Sequence, residues 1–304
     1  MLEIKKYAAI DIGSNAIRLL ISNIIVNGDK EPQFKKSSLV RVPIRLGADA
    51  FVSGIIGDDK VSKMIDAMEA FKLLMKINKV ESYKACATSA MREAENGTLV
   101  AKKILEKTGI KIDIIDGKEE AAIISSTDLN ELIKGDNSYL YVDVGGGSTE
   151  FTIFSSGKIV TSKSFKMGTV RLLNNKKSVN KEMYANVEKW IKENTKGLKR
   201  LSLIGSGGNI NKLFKMSGRT EGKPISFIYL NAQYQFLKQM TYQERISELS
   251  LNPDRADVII PATKIYLSAM KWSGARKIYV PKIGLADGII KSLFFNKLKK
   301  IMNI

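Results

Sequence analysis

Histidine is absent from the 304 residues of this chain. Without an imidazole, the sequence excludes Ser-His-Asp and Cys-His nucleophilic sites and every zinc site that contains histidine. Any acid or base catalysis must therefore use carboxylates, lysine, tyrosine or a metal-bound water.

Cysteine and long apolar runs are also scarce. The single cysteine, Cys86, cannot form a disulfide within the chain, which fits a reducing compartment, and its sequence neighbours indicate a small buried side chain. No stretch reaches about 18 uncharged apolar residues, and the first residues do not resemble a signal peptide. We therefore expect a cytoplasmic protein that has no membrane partner.

Positive charge is distributed unevenly along the chain. The net charge is +18, and residues 151–304 alone carry +19. Such a field would attract a polyanionic ligand, although a lysine-rich solubilising surface explains it equally well. Because no basic-aromatic motif of the common DNA or RNA modules is present, we expect no nucleic acid partner.

The hydrophobic pattern predicts an α/β protein of about two domains, since hydrophobic residues make up 44% of the chain and domains average about 150 residues. Apolar runs at residues 7–10, 18–25, 139–142 and 200–204 indicate strands. Asp59 is a candidate N-cap of a helix, and residues 230–249 indicate one continuous helix. Polar residues collect at 126–138, which predicts domains at 1–126 and 127–304, with the last helix either in the second domain or packed back on the first.

Two segments repeat one pattern. Residues 8–14 and residues 140–148 each contain an apolar strand, an aspartate and a tight Gly/Ser turn that leads into a second apolar strand. This repeat predicts two similarly built halves that face one another.

The second repeat has the composition of a phosphate-binding loop. Three consecutive glycines, Gly145 to Gly147, let main-chain N–H groups converge on an anion, and Ser148 adds a hydroxyl donor. Asp143 can hold a hard cation such as Mg²⁺. An ordinary glycine-rich hairpin is the alternative, and it applies more strongly to the shorter loop at residues 11–15.

A third candidate anion site precedes a helix. Gly207 and Gly208 follow an apolar strand and lead into residues 209–216, whose helical N-terminus would favour negative charge. A simple strand-to-helix turn is the alternative. The segment is not a Walker A loop, because no Gly-Lys-Ser/Thr follows four spacer residues.

Two carboxylates and one arginine complete the candidate chemistry. Glu119 and Glu120 follow the turn at Gly117, and either could activate a water or simply stabilise a helix N-terminus. Arg92 could bind a phosphate with two hydrogen bonds, or it could be a solvated helix arginine. The residues alone leave these alternatives open.

Together, these motifs resemble the exopolyphosphatase/guanosine pentaphosphate phosphohydrolase family. The matching segments occur in the family's order and span about residues 7–290. They are AIDIGSN at 9–15, ATSAMR at 87–92, IIDGKEEA at 114–121, VDVGGGSTE at 142–150, MGTVRL at 167–172, GSGG at 205–208 and RADVIIP at 255–261.

The resemblance implies a fold, a reaction and a set of residue roles. The fold would be the actin-like one, with two ribonuclease-H-like domains and the site in the cleft between them, and the reaction would be Mg²⁺-dependent hydrolysis of a terminal phosphoanhydride. Glu120 would be the base for water. The metal ligands would be Asp11, Asp143 and Glu150. The phosphate ligands would be Gly13, Ser14, Asn15, Arg92, Gly145, Gly146, Gly147 and Ser148, with Gly207 and Gly208 added from the anion loop identified above.

The chain departs from the family in three places, one of which is Ala16-Ile17 after Asn15, where a serine and another apolar residue are common. Longer members carry a C-terminal helical domain of HD-like type, which this sequence does not reach. Without histidine, the chain could not form the metal site of that domain. We therefore expect its binding of long polymers to differ from that of the longer members. The late Gly-Leu-Arg-Glu-Gly segment reads Gly284-Leu285-Ala286-Asp287-Gly288.

The predicted function is hydrolysis of terminal phosphate from inorganic polyphosphate. Guanosine pentaphosphate is the alternative substrate, and a non-catalytic polyphosphate or alarmone sensor and an ATP-using kinase are the alternatives from other classes. A homodimer is compatible with the resemblance.

Overall fold

The computed structural model describes residues 2–28, 30–125, 127, 129, 133, 135 and 137–302. The chain forms two compact units. Unit 1 comprises Met1–Thr127 and Ile283–Ile304, and unit 2 comprises Asp128–Lys282. Of the residues at which we predicted the domain boundary, those at 126, 128, 130–132, 134 and 136 lie outside the described residues.

Unit 1 is a mixed sheet with helices. Its elements, in chain order, are β1 (Leu2–Ile12), β2 (Ile17–Asn27), β3 (Gln33–Val42), α1 (Gly47–Ala50), α2 (Asp58–Ile77), β4 (Ser82–Ala87), α3 (Ser89–Glu93), α4 (Gly97–Thr108), β5 (Ile112–Ile114) and α5 (Gly117–Ser125). The strand order is β3-β2-β1-β4-β5. Strands β1 to β3 are antiparallel neighbours, whereas β4 and β5 are parallel to β1.

Unit 2 repeats this arrangement. Its elements are β6 (Ser138–Val144), β7 (Thr149–Ser155), β8 (Lys158–Phe165), α6 (Thr169–Asn174), α7 (Lys177–Thr195), β9 (Ser202–Ser206), α8 (Gly208–Met216), β10 (Ile225–Ser226), α9 (Phe227–Gln239), α10 (Tyr242–Ser247), α11 (Pro253–Ala256), α12 (Ile259–Ser273) and β11 (Lys277–Tyr279). The order is β10-β11-β9-β6-β7-β8, so strands β8-β7-β6-β9-β11 match β3-β2-β1-β4-β5 in order and direction. The prediction of an α/β fold with two similarly built halves is confirmed.

The last helix, α13 (Leu285–Met302), belongs to unit 1. It packs against β1, β4 and α5. Phe294 is buried there, with its ring centroid 5.9 Å from that of Tyr7 and 5.7 Å from that of Phe34. The helix therefore completes the core of a unit whose strands lie far earlier in the sequence.

Each unit has its own hydrophobic core. In unit 1, the apolar stripe of α2 packs on the sheet through Met64, Met68 and Phe71. The second half of β1, from Tyr7 onward, is buried on both faces, which is why it reads as a continuous apolar run. Cys86 is buried and forms no disulfide, and its burial is as the sequence predicts. Among the described residues, we find no helix that is both long and apolar enough to span a membrane.

Two details of the predicted elements are wrong. Helix α2 begins after Gly57 and not after Asp59, because Gly57 takes the extended N-cap conformation and Asp59 lies inside the first turn. The predicted helix at 230–249 is two helices, α9 and α10. Thr241 and Glu244 form a capping box that starts α10 and breaks the run.

Candidate functional site

The parallel strands of unit 1 end at one level. Ile12, Ala87 and Ile114 lie side by side in the register of β1, β4 and β5. The segments that follow these strands therefore begin at the same edge of the sheet, which is where open α/β sheets bind ligands. They contain the Asp11–Asn15 loop, the start of α3, and the turn into α5.

The loop after β1 is held by the main chain and by a buried serine pair. Gly13 N–H donates to Ala16 O at 3.1 Å. The hydroxyls of Ser14 and Ser89 lie 2.9 Å apart, and both residues are buried. The predicted loop residue Ser14 is thus joined to Ser89 at the start of α3, a residue of the segment at 87–92 to which the family resemblance assigned no role.

A second segment holds the same loop from the other side. Gly47 N–H donates to Ser14 O at 2.8 Å and Arg45 N–H donates to Asn15 O at 3.0 Å. Arg45 has φ +58°, a left-handed conformation that costs free energy in a residue other than glycine. Sequence reasoning missed this segment, because no motif connects residues 45–47 to residues 14 and 15.

Asp11 forms an ion pair with the residue opposite it on β2. Arg18 Nη1 lies 2.6 Å from Asp11 Oδ2, and the Asp11 side chain is almost fully buried. The two residues face each other in the β1–β2 register. The charge of this predicted metal ligand is therefore already compensated by a guanidinium.

The turn into α5 distinguishes the two adjacent glutamates. Asp116 Oδ1 accepts hydrogen bonds from the N–H groups of Lys118 and Glu119, both at 2.8 Å, and Glu119 Oε2 accepts from Asp116 N–H at 3.1 Å. The hydrogen bond from Glu119 N–H to the Asp116 carboxylate, followed by the one from Lys118 N–H, holds the pKa of Asp116 below its usual value. Glu119 is an exposed cap, whereas Glu120 is only 8% exposed. The structure thus separates a capping residue from a buried carboxylate.

Arg92 lies on α3, and its side chain contacts the segment that leads to these residues. Its Nη1 donates to Ile115 O at 2.6 Å, and its positive charge lowers the pKa of Asp116. The side chain is partly buried and is not a solvated helix arginine. Phosphate binding by Arg92 stays a prediction.

In unit 2, the corresponding hairpin has two carboxylates. Asp143 and Glu150 face each other in the β6–β7 register, as Asp11 and Arg18 do in unit 1. Glu150 Oε1 accepts from the hydroxyl of Ser148 at 2.6 Å and from the hydroxyl of Ser164 at 2.9 Å. Ser148 and Glu150, both predicted site residues, are therefore in direct contact.

The glycine loop of this hairpin is held by the segment that precedes α6. Thr169 N–H donates to Gly145 O at 3.0 Å, and Arg171 Nε donates to Gly147 O at 2.8 Å. A Cβ on Gly168 would lie 2.3 Å from the carbonyl carbon of Gly146, so only glycine permits this approach. The family resemblance includes the segment at 167–172, but it assigned no role to these residues.

The third predicted loop is the neighbour of the second. Ser206, at the end of β9, pairs with Asp143 in the parallel register. Gly207 has φ +112°, and a Cβ there would lie 3.5 Å from Asp143 Oδ1 and 3.4 Å from the Tyr266 hydroxyl. A Cβ on Gly208 would lie 3.2 Å from Arg255 Nη2. The structure thus brings Asp143 and the Gly207–Gly208 turn together. Arg255, which the family segment at 255–261 includes without an assigned role, and Tyr266, which no motif indicated, lie beside this turn.

The two hairpins differ in electrostatics. Asp11 is opposite a cation, whereas Asp143 is opposite a second carboxylate. Within the described part of the chain, no group of three or more acidic or cysteine side chains is placed to hold a metal. Mg²⁺ needs only one or two carboxylates, because it keeps several waters and binds substrate phosphate oxygens. The Asp143–Glu150 pair fits such an ion better than Asp11 does. The predicted cleft between the two domains stays a prediction.

A comparison with protein families identifies a match over most of the chain. The model of the Ppx/GppA phosphatase family matches residues 35–297.

Individual relatives of known sequence or structure are similar to this chain over most of its length, at low sequence identity. The bifunctional 3-dehydroquinate synthase/phosphatase of Fusobacterium nucleatum is 30% identical over 301 residues, which are 90% of this chain and 44% of that protein, so the chain spans less than half of this relative. Exopolyphosphatase 2 of Mycobacterium tuberculosis is 24% identical over 95% of this chain and 98% of its own length. The crystal structure of an exopolyphosphatase from Cytophaga hutchinsonii superposes with a TM-score of 0.83 at 23% identity, covering 96% of this chain and 98% of that one, which shows a shared fold.

Proposed function

Because this chain belongs to the Ppx/GppA phosphatase family, we propose that it hydrolyses the terminal phosphoanhydride of inorganic polyphosphate, with a water activated by Glu120. The proposal also includes a requirement for Mg²⁺.

The buried position of Glu120 carries this proposal. Glu120 lies in the first turn of α5, at the sheet edge where the Asp11–Asn15 loop also begins. A carboxylate with little exposure at a ligand-binding edge is a suitable general base, and the chain contains no histidine to compete for that role. Glu119, by contrast, is used as a helix cap.

The loops supply the groups that would bind phosphate. Glycines at 146–147 and 207–208 place no Cβ beside their main-chain N–H groups, whereas the N–H groups of Gly13 and Gly145 donate within their own turns. Ser14, Asn15 and Ser148 add polar side chains. Arg92 adds a guanidinium close to α5. Groups of this kind stabilise the charge that develops on phosphoryl oxygens during transfer.

Asp143 and Glu150 would hold the Mg²⁺ ion. When bound, such an ion neutralises negative charge on the phosphate oxygens. The hydroxyls of Ser148 and Ser164 fix the orientation of Glu150, and the turn at Gly207 packs close to Asp143. Arg18 makes Asp11 the weakest candidate of the three predicted metal ligands.

Polyphosphate is favoured over a nucleotide by two observations. The +19 charge of residues 151–304 suits a long polyanion. A relative that this chain covers almost completely is named an exopolyphosphatase. Guanosine pentaphosphate, a substrate of the family that the motifs resemble, is the second candidate.

A phosphate-release assay distinguishes these functions. Tripolyphosphate, long polyphosphate and guanosine pentaphosphate would be compared with and without Mg²⁺. We expect orthophosphate from polyphosphate only when Mg²⁺ is present. Release from guanosine pentaphosphate alone would select the second candidate, and salt-sensitive binding without any release would indicate a sensor.

The role of Glu120 is tested by a matched pair of substitutions. Glu120→Gln removes the base and should lower kcat by about 10²- to 10⁴-fold. Glu119→Gln, at the adjacent exposed position, should leave both kcat and stability nearly unchanged, because the glutamine side-chain oxygen can still accept the capping hydrogen bond. Steady-state kinetics and urea denaturation measure both effects. Full activity of Glu120→Gln would show that the base is another residue.

A further inference from the structure

Tyr266 is a buried residue that joins the third loop to the interior of unit 2. It lies on α12 and is fully buried. Its hydroxyl donates a hydrogen bond to the main-chain carbonyl of Ser206, which is 60 residues earlier in the chain. Ser206 is the last residue of β9 and immediately precedes Gly207.

This hydrogen bond determines which way the next N–H group points. In a trans peptide the carbonyl and the following N–H point in opposite directions, so a hydroxyl on the Ser206 carbonyl leaves Gly207 N–H directed away from Tyr266. Gly207 has φ +112° and packs against the Tyr266 hydroxyl and Asp143. The peptide therefore has little freedom to rotate while the hydrogen bond is present.

The Tyr266 hydroxyl is enclosed in the interior of unit 2, close to Asp143. Burial, and then the negative charge of Asp143, raise the pKa of Tyr266 well above its usual range. The same two causes raise the pKa of Tyr141, which lies two residues before Asp143 on β6. A buried hydroxyl thus lies close to both Asp143 and Gly207.

We propose that Tyr266 is a positioning residue for phosphate binding: its hydroxyl holds the Ser206–Gly207 peptide so that the N–H groups of the Gly207–Gly208 turn face the substrate. This inference rests on the proposed function and assigns a role to a residue that does not itself touch phosphate. Removing the hydroxyl leaves the Ser206 carbonyl buried without its donor and frees the peptide to turn.

Tyr266→Phe is the variant that tests the proposal, with Tyr184→Phe as its control. The Tyr184 hydroxyl is also buried in unit 2, with no hydrogen-bond partner among the described residues, but it lies on α7. We expect Tyr266→Phe to raise KM for tripolyphosphate about fivefold to tenfold, as for the loss of one hydrogen bond, with kcat changed by less than about twofold. Tyr184→Phe should change neither constant.

Separate measurement of KM and kcat distinguishes a positioning role from a structural one. Protein that is irreversibly misfolded lowers the apparent kcat and leaves KM unchanged, whereas reversible unfolding raises the apparent KM as well. Both variants are therefore assayed under conditions in which urea denaturation shows them to be fully folded, so that a change in KM reports substrate binding. An unchanged KM for Tyr266→Phe would overturn the proposal.

A binding measurement keeps this inference distinct from the proposed activity. Tripolyphosphate is titrated calorimetrically into the Glu120→Gln variant and into the Glu120→Gln/Tyr266→Phe double variant, neither of which should turn over the substrate. The double variant should bind tripolyphosphate more weakly by the same factor. Equal affinities would contradict the role of Tyr266. A protein that binds tripolyphosphate without releasing phosphate would contradict the proposed activity alone, and one that does neither would contradict both.

Discussion

At the scale of single residues, the two hairpins differ most at one position. Arg18 and Glu150 occupy equivalent places, each on the second strand of its hairpin and directly opposite the aspartate near the end of the first strand. A guanidinium there makes the first loop less acidic, whereas a carboxylate there makes the second loop a better cation site. The side chain at this one position therefore gives two similar hairpins different ligand preferences.

Arg18→Ala should destabilise the protein, because it leaves the buried Asp11 carboxylate without its cation. The guanidinium is itself about one-third exposed, so we expect a loss of about 1–3 kcal/mol in the free energy of unfolding. Arg18→Lys retains the charge and should lose less. Urea denaturation measures both, and equal stability of Arg18→Ala and wild type would show that the pair contributes nothing.

The candidate site residues were predictable where they stand in motifs and unpredictable where they act across the fold. Asp143, the glycines and the Glu119–Glu120 pair could be identified from spacing alone. The choice of Glu120 over Glu119 rested on the family resemblance, because the capping bond that occupies Glu119 depends on where α5 begins. Tyr266 could not be identified, since its contact with Ser206 spans 60 residues and leaves no local pattern.

At the scale of elements, the contact between α5 and α13 is unusually close. A Cβ on Gly288 would lie 2.2 Å from Ile123 O, a distance that the structure could not accommodate without moving one helix. Ile123 is three residues after Glu120 on α5, so the same helix face is involved. Glycine at position 288 thus determines the depth at which the helix carrying Glu120 sits.

Gly288→Ala should therefore affect both stability and catalysis. We expect a loss of about 1–3 kcal/mol from overpacking and a fall in kcat of about tenfold to a hundredfold as Glu120 is displaced. Gly284→Ala is the control, because no other atom would lie within 4 Å of its Cβ. Thermal unfolding and phosphate release measure the two effects, and normal kcat in a destabilised Gly288→Ala would separate the helix contact from the site.

Most elements were predictable because their apolar periodicity is clear. The buried central strands β1 and β6 read as continuous apolar runs, and their aspartate-glycine ends mark where they stop. The break between α9 and α10 was missed because the apolar pattern continues through it, and the capping box at Thr241 outweighs that pattern. The two-residue strand β10 is too short to produce any periodicity.

At the scale of the whole molecule, the chain contains one five-strand pattern twice, and unit 2 is inserted between the two segments of unit 1. Both tryptophans, Trp190 and Trp272, lie in unit 2. Tryptophan fluorescence therefore reports the unfolding of unit 2, whereas circular dichroism reports both units.

Phe294→Ala should lower the stability of unit 1 by about 3–5 kcal/mol, since it removes a buried aromatic ring from the contact of α13 with the sheet. We expect the circular dichroism transition to shift to lower urea, with a smaller shift in tryptophan fluorescence. Phe295→Ala, a neighbour that is 43% exposed, should cost about 1 kcal/mol or less. Equal shifts in both signals would show that the units unfold as one block.

The position of α13 has a consequence for synthesis on the ribosome. Residues 128–282 emerge between the strands of unit 1 and the helix that covers them, which at about 5–20 residues per second takes on the order of ten to thirty seconds. During that interval, the apolar surface of β1 and β4 stays uncovered, because α13 is synthesised last. A nascent chain that stalls after unit 2 would expose this surface to chaperones and proteases, so incomplete products would be recognised before they could be released as partly folded enzyme.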